Sequence, residues 1–404
     1  MTMPLEGIRV LDWTQFQQGP GATQMLGDLG ADVIKIEDRV RGDGGRGFTT
    51  IMGAATGVYG RNYYFETLNR NKKSITLDLA KERGRQIAYR LVESSDVFVH
   101  NYRKSVAKRL GMDYDSLCQC NRRIIYAVAS SFGPQGPEAD TTAFDIVGQA
   151  RSGIMKPIED PELIPTQSQP GIADQMGAIM LAYGIMVALL SRERHGMGQE
   201  VDVSLLGSMM ALQTVFISGA LVQGIQFPRA TRETIGNPLY NYYRCQDGKW
   251  ICLGMVQSDR HWANFCRAVG REDLATDERC SDMFKRASIS RELIAALDEI
   301  FATRPRDEWM KLLRERGDFA LAPVNTHLDL ADDPQVLANG YIVEYEHPAF
   351  GSTKTLGLPI TLGETPGGIK LPAPEWGQHT EEVLMEVGGL SWEEIALLRE
   401  EEVI

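Results

Sequence analysis

Apolar and polar positions in the first half of the chain repeat a pattern of strand followed by helix. The segments "GIRVLDW" and "ADVIKIE" are short apolar runs, and the turn-forming "QQGPGATQMLGDLG" between them continues with helical spacing. The same order returns in "KSITLDL", "KERGRQIAYRLVESS", "DVFVHN", "YRKSVAKRLG" and "RIIYAVASSFG". Strands that alternate with helices predict an α/β domain with a parallel, doubly wound, Rossmann-like sheet that binds ligands at the C-terminal ends of its strands.

The middle of the chain changes to a helical pattern. The longest apolar run, Met176 to Leu190, is shorter than the roughly 18 to 20 residues that a membrane span requires, so we expect a buried helix. The segment "GQEVDVSLLGSMMALQTVFISGALVQ" then predicts one strand and one long apolar helix.

A domain boundary is expected between Phe227 and Asn237, where the composition becomes polar and turn-forming. The next segment, "YNYYRCQDGKWICLGM", predicts an antiparallel hairpin that turns at Asp247 and Gly248. Helical segments follow it, and "APEWGQHTEEVLMEVGGLSWEEIALLREEEVI" predicts a helical tail. The second half therefore contains a smaller α+β domain and a C-terminal extension.

Charge and cysteine content narrow the classes of function. The net charge of -12 and the pI of about 5.1 argue against a general nucleic-acid binder and against a partner of anionic membranes. The six cysteines include no C-x-x-C pair, and the six histidines show no paired metal spacing, so we expect no metal site. No signal-peptide pattern opens the sequence. We expect a reduced, cytoplasmic protein.

The turn after the first predicted strand, "TQFQQGPGATQ", resembles a dinucleotide fingerprint only in part. Gly19 and Gly21 supply the first two glycines, but Gln24 occupies the place of the third. Two interpretations remain open, a tight turn that needs glycine and a phosphate site at the start of a helix.

Two basic clusters follow further strands or strand starts. They contain Arg70, Lys72 and Lys73, and then Arg103, Lys104, Lys108 and Arg109. In an acidic chain, basic clusters at corresponding strand ends favour a ligand with several phosphates, and Tyr102 is suited to stack on its adenine. For Lys104 and Lys108 a solvated helix face remains the alternative.

Two aspartates stand before helical segments. Asp174 follows a Pro-Gly turn and precedes the long apolar run, and Asp145 lies in "TTAFDIVGQARSG". Each could be a helix N-cap. Asp174 could also be a carboxylate nucleophile, with free N–H groups of its helix stabilising an oxyanion, and the two interpretations do not exclude each other.

Six segments, taken in order, resemble the family III CoA-transferases, also called the CaiB/BaiF family. They are "MPLEGIRVLDWTQFQQGPGATQMLGDLGADVIKIE", "NRNKKSITLDL", "VHNYRKSVAKRLGMDYDSL", "AFDIVGQARSG", "GIADQMGAIMLAYGIMVALLSRERHGMGQEVDVSLL" and "APEWGQHTEEVLMEVG". The resemblance covers nearly the whole chain. It implies an enzyme that moves CoA from an acyl-CoA to a free carboxylic acid, with CoA as substrate and no prosthetic group.

The resemblance also implies roles for individual residues. Asp174 matches the covalent nucleophile, Gln17 and Gln18 match the loop at the thioester, and Asp145 matches an acidic residue near the active centre. The implied CoA-binding residues are Lys73, Leu77, Asn101, Tyr102 and Arg109. Because Asp38 stands where the family often has a basic residue, Arg39 or Arg41 is expected to replace it.

The mechanism implied by the resemblance passes through mixed anhydrides and an aspartyl-CoA thioester. The same family contains α-methylacyl-CoA racemases, whose histidine base lies in a G-H-D pattern, whereas this chain reads Ala143, Phe144, Asp145. That difference favours the transferase. An NAD-dependent oxidoreductase and a non-catalytic CoA-binding subunit of a heteromer are the alternatives of other classes.

The resemblance further implies an interlocked, ring-shaped dimer, formed by two copies or by two related chains. Residues 1–227 and 326–404 would form the large CoA-binding domain, and residues 228–325 a small domain closing over the site. The segment "PRATRETIGNPLYNYY" offers only Gly236 in place of a glycine-rich loop, which suggests an acceptor bulkier than oxalate. Four residues would suit an aromatic or branched acid, or else belong to the hairpin core: Tyr240, Tyr242, Tyr243 and Met255.

Overall fold

The computed structural model describes residues 2–155, 165–227 and 231–404, and the chain forms two compact units. The large unit comprises Met1–Gln226 and Pro334–Ile404, and the small unit comprises Phe227–Asp333. The domain boundaries thus fall after residues 226 and 333. The sequence predicted them after residues 227 and 325.

The N-terminal part of the large unit alternates strands and helices. Its strands are β1 (Arg9–Trp13), β2 (Asp32–Glu37), β3 (Thr50–Ile51), β4 (Ala54–Ala55), β5 (Gly57–Val58), β6 (Arg61–Asn62), β7 (Lys72–Thr76), β8 (Val97–His100), β9 (Ile125–Ser130) and β10 (Gln199–Ser204). Its helices are α1 (Gln18–Asp28), α2 (Tyr63–Asn69), α3 (Glu82–Glu93), α4 (Lys104–Arg109), α5 (Tyr114–Cys120), α6 (Asp145–Arg151), α7 (Ile172–His195), α8 (Leu205–Leu212) and α9 (Thr214–Gln223).

Six of these strands form one parallel sheet in the order β10-β9-β8-β1-β2-β7. The chain builds outward from β1 through β2 to β7, and then builds in the other direction through β8, β9 and β10. The strand order therefore reverses between β1 and β8. In open α/β sheets, ligands bind at such a switch point, outside the carboxyl ends of the strands.

Alternate strand residues are buried on opposite faces of this sheet, as the apolar runs predict. Val10, Val33 and Val97 pack under α1 and α7. Leu11, Ile34 and Phe98 pack under α3, α5 and the C-terminal helices. The large unit is thus a three-layer α/β/α structure.

Helix α7 is the buried helix that the sequence predicts, although it is longer than the apolar run. It has 24 residues and could cross a membrane by length and composition. However, Ala178, Leu181 and Ile185 of one face are fully buried against the sheet and α1. We therefore interpret it as a core helix.

The prediction of a single long apolar helix after β10 is wrong. Helices α8 and α9 meet at an angle of 80° around Gln213. The buried Gln213 amide donates to the carbonyl groups of Met209 (3.0 Å) and Ser152 (3.1 Å). A local side-chain to backbone hydrogen bond of this kind competes with a continuing helix.

The small unit has an antiparallel sheet, with helices on one of its faces. Its elements are β11 (Tyr240–Arg244), β12 (Trp250–Gly254), α10 (Ser258–Ala268), α11 (Glu272–Thr276), α12 (Met283–Ser288), α13 (Ser290–Phe301), α14 (Arg306–Arg316) and β13 (Leu321–Val324). Strands β11 and β12 form the predicted hairpin, with Gly248 at φ 78° in its turn. Tyr243 and Met255 lie in the core of this unit, whereas Tyr240 and Tyr242 are exposed.

The C-terminal part of the chain returns to the large unit. It contains α15 (Pro334–Ala338), β14 (Ile342–His347), β15 (Gly351–Leu356), α16 (Thr380–Glu386) and α17 (Trp392–Glu400). Strand β7 is an edge of the sheet, and this tail covers it: the N–H of Asn71 donates to the Leu371 carbonyl, and the N–H of His379 donates to the Ser74 carbonyl. The free edge of β7 is therefore paired within the unit.

Candidate functional site

A cavity of about 310 Å³ opens at the carboxyl ends of β1, β8 and β9, at the switch point of the sheet. Its lining comes from the loops that follow these strands and from the start of α7, and includes Gln17, Asn101, Ser130, Phe144 and Asp174. All lining residues belong to the large unit. The location agrees with the binding edge that the strand order predicts.

The loop after β1 places Gln17 in this cavity. Phe16 adopts a left-handed conformation with φ 66°, and Gln17 follows as the N-cap of α1. The side-chain amide of Gln17 donates to the Gly171 carbonyl at 3.3 Å. Within the described part of the chain, the N–H groups of Gln17, Gln18 and Gly19 have no hydrogen-bond acceptor. The start of α1 therefore offers unpaired donors beside the cavity.

Asp174 projects from the first turn of α7. Gly171 is the N-cap of this helix, in a left-handed conformation with φ 78° that glycine adopts without strain. Asp174 is the third helical residue, so the prediction that it is the N-cap is wrong. Its half-buried carboxylate lines the cavity.

Asp145 caps the start of α7 from a separate segment. Its Oδ1 accepts hydrogen bonds from the N–H groups of Ala173 (2.7 Å) and Asp174 (3.3 Å), and its Oδ2 accepts one from the Gln149 amide (2.7 Å). Asp145 is the first residue of α6, whose N-cap is Phe144, so the prediction that it caps its own helix is wrong. The N–H groups of α7 that were expected to hold an oxyanion are already bonded.

The charge of Asp145 also acts on the carboxyl group of Asp174. Burial, followed by the nearby Asp145 charge, raises the pKa of Asp174 to about 7. Burial, followed by the charge of Asp174, also raises the pKa of the Tyr64 phenol. Tyr64 therefore stays neutral near the site. No motif marked it in the sequence, and only the folded chain brings α2 toward α7.

Asn101 and Tyr102 follow β8 and close the other side of the cavity. The Asn101 amide donates to the Gln15 carbonyl (2.6 Å), and its Oδ1 accepts from the Gln15 N–H (3.0 Å). One face of the Tyr102 ring stacks on Trp13, with centroids 4.2 Å apart. The loops after β1 and β8 are therefore fastened together at the switch point.

Comparisons with known proteins identify the family of this chain. The family model described as CoA-transferase family III matches residues 5–380. The chain belongs to CoA-transferase family III. This confirms the resemblance found in the sequence and the assignment to the CoA-transferase enzymes.

Relatives of this family III chain match over almost its whole length. An (R)-2-hydroxy-4-methylpentanoate CoA-transferase from Clostridioides difficile is 30% identical, covering 96% of this chain and 96% of that protein. A succinyl-CoA–D-citramalate CoA-transferase from Chloroflexus aurantiacus is 31% identical, covering 99% and 98%. The crystal structure of a CaiB/BaiF family protein from Brucella suis has a TM-score of 0.83 and 28% identity, covering 96% of this chain and 100% of that one.

The structure brings only some of the predicted CoA-binding residues of this family III protein to the cavity. Asn101 and Tyr102 line it, as does Gln18, whose amide donates to the Val203 carbonyl (3.2 Å). Leu77 lies in the hydrophobic core and Arg109 is exposed at the end of α4, and neither lines the cavity.

The predicted basic residues after β2 and on β7 also lie outside the cavity lining. Arg39 pairs with Glu402 (3.3 Å) and Lys73 pairs with Glu382 (2.8 Å), while Arg41 is exposed. The roles of Arg39, Arg41 and Lys73 in CoA binding therefore stay predictions.

The first basic cluster of the sequence has structural partners. Lys72 is completely buried and contacts Asp12 (2.9 Å), and Arg70 is buried against Asp28 (2.6 Å). Burial lowers the pKa of Lys72 to about 8, although Asp12 opposes the shift. The cations that do line the cavity are Arg103 and Lys104, from the second cluster.

Sequence reasoning missed a buried ion pair, formed by Lys35 and Asp43. It lies below the loop that follows β1 and carries Gln17, which we call the first loop. The signal was present, because Lys35 interrupts the apolar strand "VIKIE" and Asp43 lies among the glycines of "RGDGGRG". A charge inside a strand that is buried on both faces requires a partner. Its identity depends on the fold.

Proposed function

We propose that this protein transfers CoA from an acyl-CoA donor to a free carboxylic acid, with Asp174 as the covalent carrier. The observation that carries the proposal is the position of Asp174, a carboxylate on a rigid core helix at the switch point of the sheet. The pKa of about 7 keeps a substantial ionised fraction at neutral pH and makes the carboxylate more basic than an exposed one.

Each half of the reaction forms and breaks two bonds. The Asp174 carboxylate attacks the thioester carbonyl, the C–S bond breaks, and CoA leaves as thiolate, which gives a mixed anhydride. The thiolate then attacks the aspartyl carbonyl and expels the donor acid as carboxylate, which leaves an aspartyl-CoA thioester. The acceptor carboxylate runs these steps in reverse, so the free Asp174 carboxylate is regenerated.

The oxyanions of these steps need hydrogen-bond donors that the fold holds in place. The Gln17 amide and the unpaired N–H groups at the start of α1 are the donors nearest this role, because Asp145 occupies those of α7. Arg103 at the cavity supplies positive charge for the phosphates of CoA. Lys104 also lines the cavity, but its ammonium pairs with Glu200 (3.2 Å) and Asp202 (3.3 Å).

We propose a branched or aromatic acid as the acceptor. Phe16 has aromatic neighbours in Phe48 (centroids 5.8 Å apart) and Phe144 (5.9 Å), and Phe16 and Phe144 line the same cavity as Asp174. An apolar wall beside a carboxylate favours a side chain larger than that of oxalate. The similar protein named for 2-hydroxy-4-methylpentanoate acts on an acid of this kind.

We further propose that two copies of the chain form the interlocked dimer. Helix α7 exposes an apolar stripe formed by Ile179, Tyr183, Val187 and Leu190, and α9 exposes Val215, Phe216, Leu221 and Val222. Apolar surface of this extent is typical of a subunit interface. Sedimentation velocity would test the state of the protein, with a monomer at micromolar concentration contradicting the dimer.

The experiment that tests the reaction is labelling of the protein by acyl-CoA. A panel of straight, branched, aromatic and dicarboxylic acyl-CoA thioesters is incubated with the protein, and intact mass is followed by peptide mapping. We expect a gain equal to CoA minus water at Asp174, removed by hydroxylamine. Labelling elsewhere, or tight NAD binding without CoA binding in titration calorimetry, would refute the proposal.

Substrate assignment follows with the same panel and a set of carboxylic acids, read by mass spectrometry of the new thioesters. In deuterated water, we expect 2-methylacyl-CoA to gain no deuterium at its α-carbon. Rapid deuterium incorporation would favour the racemase instead.

A further inference from the structure

Lys35 and Asp43 form an ion pair inside the large unit, with Nζ and Oδ2 2.7 Å apart. The exposed fractions of the two side chains are 0% and 1%. Removing two charges from water costs several kcal/mol per ion, and their attraction often only offsets that cost. A gain in stability is therefore a weak explanation for this ion pair. The other contacts of Lys35 and Asp43 indicate its role.

The pair holds the first loop from two sides. The Lys35 ammonium donates to the Thr14 carbonyl at 2.8 Å, and Asp43 Oδ1 accepts from the Phe16 N–H at 2.9 Å. These contacts bracket Gln15, the residue that Asn101 also fastens. The residue that follows this bracket is Gln17.

The same carboxylate holds a second loop. Asp43 is the N-cap of a short 3-10 helix, Gly44–Gly47, and its Oδ1 also accepts from the Gly45 N–H at 2.7 Å. This helix leads to Phe48, which contacts the ring of Phe16. One carboxylate oxygen therefore joins the backbones of two loops.

The first loop needs such a restraint because its conformation is unfavourable in isolation. Phe16 has φ 66°, which lies in the left-handed region where a residue with a side chain is strained. A Cβ atom at Gly44 would lie 2.6 Å from Phe16 Cζ, so the ring fits only against glycine. The hydrogen bond from Phe16 to Asp43 supports this geometry.

We infer that the Lys35–Asp43 ion pair is a positioning device, which fixes the loop carrying Gln17, a wall of the cavity, against the Gly44–Phe48 turn behind it. Neither side chain lines the cavity, so both act through the loops that they hold. That the two side chains hold the loops follows from these contacts alone. That they also affect the reaction rests on the proposed function.

The surroundings allow the pair to be replaced as a unit. Lys35 also lies near the carboxylates of Asp12 and Glu37, which raise its pKa together with Asp43 against the effect of burial. Asp12 pairs with Lys72, and Glu37 pairs with Arg46. Removing one lysine and one aspartate therefore leaves two balanced pairs.

The test compares Asp43→Asn, Lys35→Met and the double variant Lys35→Met/Asp43→Leu. We expect each single variant to lose thermal stability, because it leaves one buried charge unpaired, and the double variant to recover much of it. A purely structural role would restore the reaction together with the stability.

We expect the double variant instead to keep two defects. Amide hydrogen exchange at Phe16 and Gly45 should be faster by about 10-fold, as the loss of one hydrogen bond to a carboxylate predicts. Labelling by the best acyl-CoA of the panel should be slower by about 100-fold at saturation, because displaced catalytic groups lower kcat, with little change in the Kd for CoA.

The matched control is a buried ion pair of the same unit that is remote from the first loop, Asp28 and Arg70, at the opposite end of α1. Arg70→Met/Asp28→Leu should leave exchange at Phe16 and Gly45 unchanged. Native exchange and native labelling in the Lys35→Met/Asp43→Leu protein would overturn the inference. If no acyl-CoA labels the wild-type protein, the proposed function fails, and hydrogen exchange alone still decides the role of the pair.

Discussion

Helices α1 and α7 both begin at the cavity, and neither has a hydrogen bond from its own N-cap side chain. They differ in whether the N–H groups of the first turn have hydrogen-bond acceptors. The N–H groups of α7 are bonded to the carboxylate of Asp145, whereas those at the start of α1 are unpaired in the described part of the chain.

This difference separates two tasks. The proposed nucleophile, Asp174, stands on the helix whose positive end is already neutralised, and there its pKa is raised. In the proposed reaction, a negative charge that develops on the substrate meets the helix whose positive end is free. A helix start can therefore stabilise negative charge on a substrate only when its N–H groups are not already bonded.

The largest expected effect comes from removing the proposed nucleophile on α7. Asp174→Asn should lower the rate of CoA labelling by at least about 1,000-fold, because the amide cannot form the anhydride. Glu193→Gln is the control, since Glu193 is an exposed carboxylate near the other end of the same helix. Equal losses in both variants would contradict the role of Asp174.

The next effect tests the donors at α1. Gln17→Ala should slow labelling by about 100-fold, the usual effect of losing one oxyanion donor, with little change in CoA affinity by titration calorimetry. Gln175→Ala, which removes an exposed amide from the first turn of α7, should label normally. If Gln17→Ala weakened CoA binding and left the rate at saturation unchanged, Gln17 would be a binding residue.

The third effect is a shift of the pH profile. Labelling of the wild-type protein should rise with pH with a midpoint near the pKa of Asp174, about 7. Asp145→Asn should move the midpoint to lower pH, because it removes a neighbouring negative charge, although burial remains the larger cause. An unchanged midpoint in stopped-flow rates from pH 5 to 9 would show that Asp145 does not act on Asp174.

The same raised pKa affects stability. The folded state holds the Asp174 proton more tightly than the unfolded chain, so its stabilising contribution is complete below the usual carboxyl pKa and is lost as pH rises through about 7. Compared with wild type, Asp174→Asn should therefore lose less stability between pH 4 and pH 8. Parallel thermal denaturation curves for the two proteins would contradict the shift.

The smallest effect distinguishes the two ends of α7. Gly171 and Gly196 both have left-handed φ angles near 78°, so Ala at either site should cost roughly 1–2 kcal/mol in the free energy of unfolding. A Cβ atom at Gly171 would lie 3.0 Å from Gln17 Nε2, whereas one at Gly196 has no neighbour within 4 Å. Only Gly171→Ala should also slow labelling, as measured by intact mass.

The parallel sheet and its binding edge could be predicted from the sequence, because alternating strands and helices are local patterns and such sheets bind ligands at the carboxyl ends of their strands. The switch point where the cavity opens could not, since it depends on the order of the strands in the sheet. The motifs around Asp174 and Gln17 predicted both as site residues, and both line the cavity.

The partners of charged residues could not be predicted in the same way. Asp145 caps a helix that begins 27 residues later in the sequence, and Lys72 points into the sheet although its neighbours suggested a phosphate cluster. Such partners are fixed by packing between distant segments. The bend at Gln213 was missed for the same reason, since its amide bonds to Ser152.

The tail that covers β7 has a consequence for synthesis of the protein. Asn71 and Leu371 are 300 residues apart, and their hydrogen bonds lie directly before the start of the edge strand β7. At translation rates of about 5–20 residues per second, roughly 15–60 s pass between the appearance of the two segments. During that time we expect β7 to present an open edge on the ribosome. A nascent chain that stalls before Leu371 should be a target for chaperones.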